Sequence, residues 1–190
     1  MVLKLIKALV FLAPGFEEIE TSIIVDLLRR ANVEVTIAGL TNDSITGAHE
    51  MKVIPDKSID NVDVIDFNAV ICPGGSPGYK NLRKNKKVIT IIQKAFNSNK
   101  LIAAICASPA VLSDAGVLNG KACTIYPGME NELKKGGGIY ENNIVVMDGN
   151  IITSKGPATA FQFTIKIIEE LIGKETANYV GQKVLLYEIA

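Results

Sequence analysis

The stretch Leu101–Gly116, LIAAICASPAVLSDAG, decides how the rest of the chain is read. Its first five residues form an apolar run with no polar residue alternating, as in a central strand buried on both faces. The run stops at Cys106, and small, helix-tolerant residues follow from about Ala107. Strand, sharp turn and helix is the repeating unit of a parallel sheet. Cys106 falls on the turn. It is either a small buried hydrophobe or a nucleophile held up on an elbow.

The same alternation extends in both directions. KALVFLAPG reads as a buried strand, and EEIETSIIVDLLRRA as an amphipathic helix with Ile19, Ile23, Ile24, Leu27 and Leu28 near helical spacing. Glutamates open that helix and Arg29 and Arg30 close it, as the helix dipole favours. VEVTIAGL reads as a strand, and MKVIPD as a short strand paired with SITG in a hairpin. FNAVICPGG is a strand running into a glycine turn, and KKVITIIQKAFNSNK is a helix. NNIVVMDGNIITS is two strands turning at Asp148-Gly149. PATAFQFTIKIIEELIG is a helix with Pro157 in its first turn and Gly173 at its end, and KETANYVGQKVLL is a last helix. The pattern predicts an α/β fold, a mostly parallel sheet with helices on both faces and a small β-hairpin. In such sheets, sites form beyond the carboxyl ends of the strands. Three loops lie there: Ala13–Glu20, Pro73–Gly78 and Cys106–Pro109.

Composition fits one soluble globular domain over residues 1–190. The apolar fraction is 48% and the charged fraction 21%, too apolar for disorder. The net charge near zero argues against a nucleic-acid surface. Three cysteines without CxxC spacing and a single histidine, His49, argue against a disulfide framework or a metal site, and for a reducing, cytoplasmic compartment. MVLKLIKALVFLAPGFEE has too short an apolar run for a membrane helix. It reads as a first strand running into a loop rather than a cleaved signal.

Cys106 stands in a small-x-nucleophile-x-small pattern, Ala104-Ile105-Cys106-Ala107-Ser108. Only small side chains fit beside a strained elbow. Its place before a helix predicts a lowered thiol pKa. Cys72 and Cys123 read as strand packing. No histidine follows Cys106, so the ordinary Cys-His pair is not available. Glu17, Glu18 and Glu20 follow the first strand. One facing Cys106 would stay protonated, because a carboxylate beside a thiolate is a like-charge clash, and the pair would share one proton. Gly74 or Gly75 in CPGGSPG can bring a backbone N–H close to a developing oxyanion.

LAPGFEEIET, VEVTIAGL, PGGSPGYKNL, LIAAICASP and TSKGPATAFQF together, and in that order, resemble the ThiJ/PfpI superfamily, specifically its parkinsonism-associated deglycase branch. The resemblance implies a flavodoxin-like three-layer sandwich and a homodimer. It implies that Cys106 is the reactive cysteine and Glu20 its protonated partner, with backbone groups of Gly75 and Ala107 flanking the sulfur. It also implies a pocket that Tyr126, His49, Arg30 and Pro157 would line. Arg30 and His49 would supply positive potential there, one of them from the partner subunit. Two departures stand out. Protease-like members carry histidine directly after the cysteine, where this chain has Ala107. The deglycase branch often carries histidine where this chain has Tyr126, a poor general base at neutral pH.

The resulting expectation is a cofactor-free, metal-free enzyme acting on 2-oxoaldehydes, or on early glycated adducts of proteins or nucleotides, with no nucleic acid or membrane as structural partner. A redox sensor and chaperone working through oxidation of Cys106 is the alternative.

Overall fold

A computed structural model of the chain describes residues 5–188. Residues 1–4 of the N-terminal stretch and the last two of the 1–190 span lie outside them. Seven strands form one sheet: β1 (Lys7–Leu12), β2 (Glu34–Gly39), β3 (Lys57–Ser58), β4 (Ala69–Cys72), β5 (Leu101–Ile105), β6 (Val145–Asp148) and β7 (Ile151–Ser154). Their spatial order is β6-β7-β5-β4-β1-β2-β3. Every neighbouring pair is parallel except β6 with β7, which is the antiparallel hairpin turning at Gly149. Among the described residues the seven α-helices are α1 (Glu18–Arg30), α2 (Gly78–Lys84), α3 (Lys86–Asn97), α4 (Pro109–Asp114), α5 (Glu130–Lys135), α6 (Ala160–Leu171) and α7 (Lys174–Lys183).

Alternation along the strands sorts the core into two layers. On β5, Leu101, Ala103 and Ile105 point to one face, where Ile24, Leu27 and Leu28 of α1 pack with Phe163, Ile167 and Ile168 of α6 and Ala177 and Val180 of α7. Ile102 and Ala104 point to the other, toward Leu82 of α2, Val88, Ile91 and Ile92 of α3, Ala110–Leu112 of α4 and Leu133 of α5. Both faces of the central strands are therefore covered, and β1, β4 and β5 are almost free of polar residues for that reason. The expected three-layer α/β architecture is present.

The small hairpin is also where the sequence puts it, with Ile45–Thr46 antiparallel to Lys52–Val53. Several elements differ from the sequence reading: the edge strand β3 carries no signal in sequence, and helix α6 starts at Ala160, after a separate 3-10 turn over Pro157–Thr159. Helix α2 carries only Gly78 and Leu82 as buried residues, so it has no apolar stripe to betray it. Helix α4 starts at Pro109 rather than Ala107, because Cys106–Ser108 form a tight turn in which the Ser108 N–H donates to the Ile105 carbonyl at 3.0 Å. No described helix is long and apolar enough to cross a membrane.

The chain winds outward from β1 to β2 and β3, then returns to the other side of β1 for β4 and β5. The strand order thus reverses between β1 and β4, and a crevice opens beyond their carboxyl ends. The loops after β1, β4 and β5 all meet there.

Phe163 is fully buried between α6 and the sheet. Phe163→Ala is expected to lower unfolding free energy by about 3–5 kcal/mol in denaturant titration, through lost burial and the cavity left behind.

Candidate active site

Cys106 follows β5 directly and adopts a left-handed backbone, φ 63°. That conformation costs a side-chain-bearing residue roughly 1–2 kcal/mol. Two backbone hydrogen bonds hold it. The Cys106 N–H donates to the Ser154 carbonyl at the end of β7 (3.0 Å), and its carbonyl accepts from the Tyr126 N–H (2.8 Å). The strained turn lifts the thiol out of the core. Cys72 and Cys123 have no exposed surface, whereas Cys106 is half-buried. The elbow reading of the sequence describes this geometry.

The loop after β4 wedges beneath it. A Cβ placed on Gly74 would stand 2.5 Å from the Cys106 Cβ and 2.7 Å from Glu20 Oε2, so only glycine lets the two loops close. Gly75 has φ +98° and presses on the backbone of Gly15 and Glu17. Three hydrogen bonds lock the loops together: Glu17 N–H to the Gly74 carbonyl (3.0 Å), Gly78 N–H to the Gly15 carbonyl (3.0 Å), and Ser108 Oγ to the Pro73 carbonyl (2.5 Å).

Glu20 sits in the first turn of α1 with no exposed surface. Its Oε2 accepts from the Gly74 N–H at 2.7 Å, and Oε1 is buried without a nitrogen or oxygen partner. Burial pushes its carboxyl up to about 7. The Gly74 N–H opposes that shift, the charge of Glu17 adds to it, and hydrogen bonding with the Cys106 thiol opposes it again. Gly74, expected near an oxyanion, therefore serves the carboxyl instead. The N–H groups of Ala107 and Gly75 are the ones directed at the sulfur.

The thiol does not show the lowered pKa that the sequence predicts. Burial, then the charge of Glu20 and its hydrogen bond, push it up to about 12, against the pull of Ala107 and Gly75. The reason is burial of the sulfur first and the neighbouring carboxyl second. The elbow sulfur and the carboxyl occupy one buried space, so one proton leaves near neutrality and the other is held far higher. Helix α4 adds little, having only six residues.

Above the sulfur opens a cleft of about 520 Å³, lined by Cys106, His49, Tyr79, Tyr126, Met129 and Pro157 among others. The structure thus brings Tyr126, His49 and Pro157 to the cysteine, and His49 belongs to the same chain as Cys106. Arg30 is not there. It ends α1, one helix length (roughly 20 Å) from the glutamates that open it, and it pairs with Asp26 at 2.5 Å on the exposed side. The other two glutamates at the start of α1 do more than supply helix-end charge. Glu17 does cap α1, its Oε2 accepting from the Glu20 N–H at 2.7 Å, but it also lines the cleft. Glu18 binds His49. Tyr79 and Met129 line the cleft as well, and nothing in their local sequence pattern sets them apart. Glu17, Glu18 and His49 bring three donor atoms within 4.8 Å of one another, and the α1 cap and the Glu18–His49 pair account for that cluster.

Fold and site together define an α/β sandwich protein with a cysteine on a left-handed strand-to-helix turn and a buried carboxyl beside it. Residues 6–170 match the DJ-1/PfpI family, and the chain belongs to it. It is 41% identical to protein dj-1beta of Drosophila melanogaster over 95% of this chain and 97% of that one. The crystal structure of that relative superimposes with a TM-score of 0.90, covering 95% of this chain and 98% of the other. The glutathione-independent glyoxalase DJR-1.2 of Caenorhabditis elegans is 35% identical over 90% of this chain and 92% of its own length.

Glu20 makes stability pH-dependent in a defined direction. Its folded pKa is raised above the unfolded value of 4.5 to about 7, so its contribution is complete below 4.5 and declines as pH rises through 7. The decline amounts to ~3 kcal/mol. Urea titrations at pH 4.5 and 8 are expected to show it as a difference between the wild type and Glu20→Gln, which loses this component. Parallel pH curves for the two proteins would contradict a buried, proton-holding Glu20.

Proposed function

We propose that the protein is a cysteine-dependent glyoxalase that converts 2-oxoaldehydes such as methylglyoxal to 2-hydroxy acids without a cofactor. The observation that carries this reading is the left-handed Cys106 with the N–H groups of Gly75 and Ala107 at its sulfur and the buried Glu20 carboxyl against it. Between the two deprotonation steps the pair holds one proton. Two N–H donors favour charge on the sulfur and one, from Gly74, favours charge on the carboxyl. The more populated one-proton form has the Cys106 thiol protonated beside the Glu20 carboxylate; transfer of that proton to Glu20 gives the reactive form, thiolate beside protonated acid.

The sulfur attacks the aldehyde carbon and forms a C–S bond. Glu20 gives its proton to the resulting alkoxide, which leaves a hemithioacetal and a carboxylate. That carboxylate removes the proton from the same carbon and returns it to the neighbouring carbon, while the hydroxyl proton passes between the two oxygens. The product is a thioester of Cys106, and no net oxidation has occurred. Water then cleaves the C–S bond and releases the acid. Gly75 and Ala107 flank the carbon where negative charge develops on oxygen. An early glycated adduct, a carbinolamine or hemithioacetal, frees the same 2-oxoaldehyde when its C–N or C–S bond breaks and the amine or thiol leaves with the hydroxyl proton, and deglycation is this sequence applied to the aldehyde set free. The name of the nematode relative supports the glyoxalase reading.

A sensor role has its own support. Cys106 is the one cysteine of the three with exposed surface, and the other two are sealed in the core, out of reach as resolving partners. Assembly as a homodimer is part of the same proposal. Ile19 on α1 and Met51 and Ile54 on the adjoining hairpin are exposed apolar residues that a second subunit would cover.

Turnover of methylglyoxal to lactate is expected in the wild type, with a loss of at least about a hundredfold in Glu20→Gln and complete loss in Cys106→Ala. Equal rates in all three would exclude the mechanism. Mild peroxide is expected to add two oxygens to Cys106 by intact mass. A disulfide from Cys106 to Cys72 or Cys123 would contradict the sensor chemistry.

A further inference from the structure

The turnover sequence ends on a thioester, and neither Cys106 nor Glu20 is placed to activate the water that cleaves it. Glu20 reaches the atoms held at the sulfur but has no solvent-exposed surface from which to draw bulk water. A second group must do this, open to solvent yet facing the cleft. His49 has both properties. It lines the cleft with Cys106, and its side chain is 75% exposed.

It is also held in place. Glu18 Oε1 accepts from the His49 backbone N–H at 2.6 Å, and Oε2 pairs with Nδ1 at 3.0 Å. The Glu18 side chain is only 11% exposed. A buried carboxylate on Nδ1 puts the ring proton there and leaves Nε2 as the free acceptor. The loop is fixed too, since the Ala48 N–H donates to the Phe16 carbonyl (2.8 Å) and a Cβ on Gly47 would collide with the Glu18 carboxyl. Nucleophile, base and orienting acid then follow the logic of a triad, although the histidine precedes the cysteine in the chain.

We propose that the Glu18–His49 pair is the general base for hydrolysis of the Cys106 thioester. His49 Nε2 takes a proton from water as its oxygen bonds to the thioester carbon. The C–S bond breaks and the sulfur leaves as thiolate. His49 then returns the proton through solvent to Glu20, and the acid product loses its own to solvent. The proposal rests on the glyoxalase reading and assigns its last step.

The charged and titratable groups around His49 are Glu17 and Glu18 from the start of α1, Cys106 at the elbow, and Tyr79 and Tyr126 across the cleft. Hydrogen bonding and charge from Glu18 raise the imidazole pKa, and Glu17 adds to this. The base form therefore appears later on the pH scale than for a free imidazole. Hydrolysis should accelerate as pH rises through that raised value. Removing the Glu18 charge should move the rise to lower pH and weaken the base.

The test is methylglyoxal turnover with acid-quenched intact mass. In His49→Ala, the steady-state rate is expected to fall on the order of a hundredfold. Cys106 should accumulate one methylglyoxal mass that survives dilution and is released by hydroxylamine, as a thioester is and a hemithioacetal is not. Added imidazole should restore turnover. Glu18→Gln should shift the pH profile downward. Wild-type rate and pH profile in His49→Ala, with no persistent adduct, would overturn the assignment. So would slow turnover that imidazole fails to restore. A wild type that neither turns over nor acquires the adduct would instead overturn the glyoxalase reading, and this step with it.

Discussion

Glu20 and Cys106 are forced together at the elbow, the carboxyl fully buried and the thiol half-buried against it, and the surrounding structure can be understood as what makes that tolerable. A carboxyl with no exposed surface is expensive to ionise, and a thiolate beside it would double the difficulty. Three backbone donors divide the work. Gly74 N–H goes to the carboxyl, and Gly75 and Ala107 N–H go to the sulfur. Each donor comes from a loop end where the strand hydrogen-bond pattern has just run out. The sheet therefore supplies, at its carboxyl edge, amides that no neighbouring strand claims.

Those donors arrive only because the three loops interlock at backbone distance. Gly74 lies against the Cys106 Cβ and Gly75 against the backbone of Gly15 and Glu17. Side chains at either position would push the β4 loop off the elbow and leave Glu20 Oε2 unpartnered. The left-handed turn at Cys106 is held from both sides, by β7 through Ser154 and by the Tyr126 segment. Two hydrogen bonds at about 0.5–1.5 kcal/mol each are enough to offset a strain of that size. The reactive geometry is thus a property of the whole carboxyl edge, spread over five segments distant in sequence.

The legible parts of the fold were those with a period. The buried runs of β1, β4 and β5 and the stripes of α1, α3 and α6 each carry a long, repeated signal, and their alternation implies the sheet. Helix α2 and the two-residue edge strand β3 carry none. At the site, Cys106 and Glu20 were legible because a strand-to-helix junction and a family pattern coincide there. The direction of the thiol's shift was not. A helix start suggests a stabilised thiolate, but burial and the neighbouring carboxyl depend on distances in space, and the helix proved too short to oppose them. Arg30 misled for a related reason. Its place in a family pattern says nothing of the length of α1 that separates it from the cleft, or of Asp26 four residues earlier.

The cleft also shows how a charge requirement can be met from a different wall. Tyr126 is fixed over the elbow by its own backbone, and its ring edge lies within about 3.5 Å of a Cβ built on Gly156, so the position offers an aromatic surface. The one imidazole of the chain enters from the opposite side, on the loop after the Ile45–Thr46 strand. Glu18 holds it there with two hydrogen bonds. Glu18 can do so because Glu17 has taken the α1 cap and Glu20 has gone to the sulfur. Three glutamates within four residues, alike in sequence, are thus divided by helix geometry into a cap, an anchor for histidine and a buried neighbour of the cysteine. The helix turn places Glu17 and Glu18 toward the cleft and its rim and turns Glu20 inward. A one-residue shift in where α1 begins would exchange those roles, which makes the start of α1 as much a part of the site as the cysteine itself.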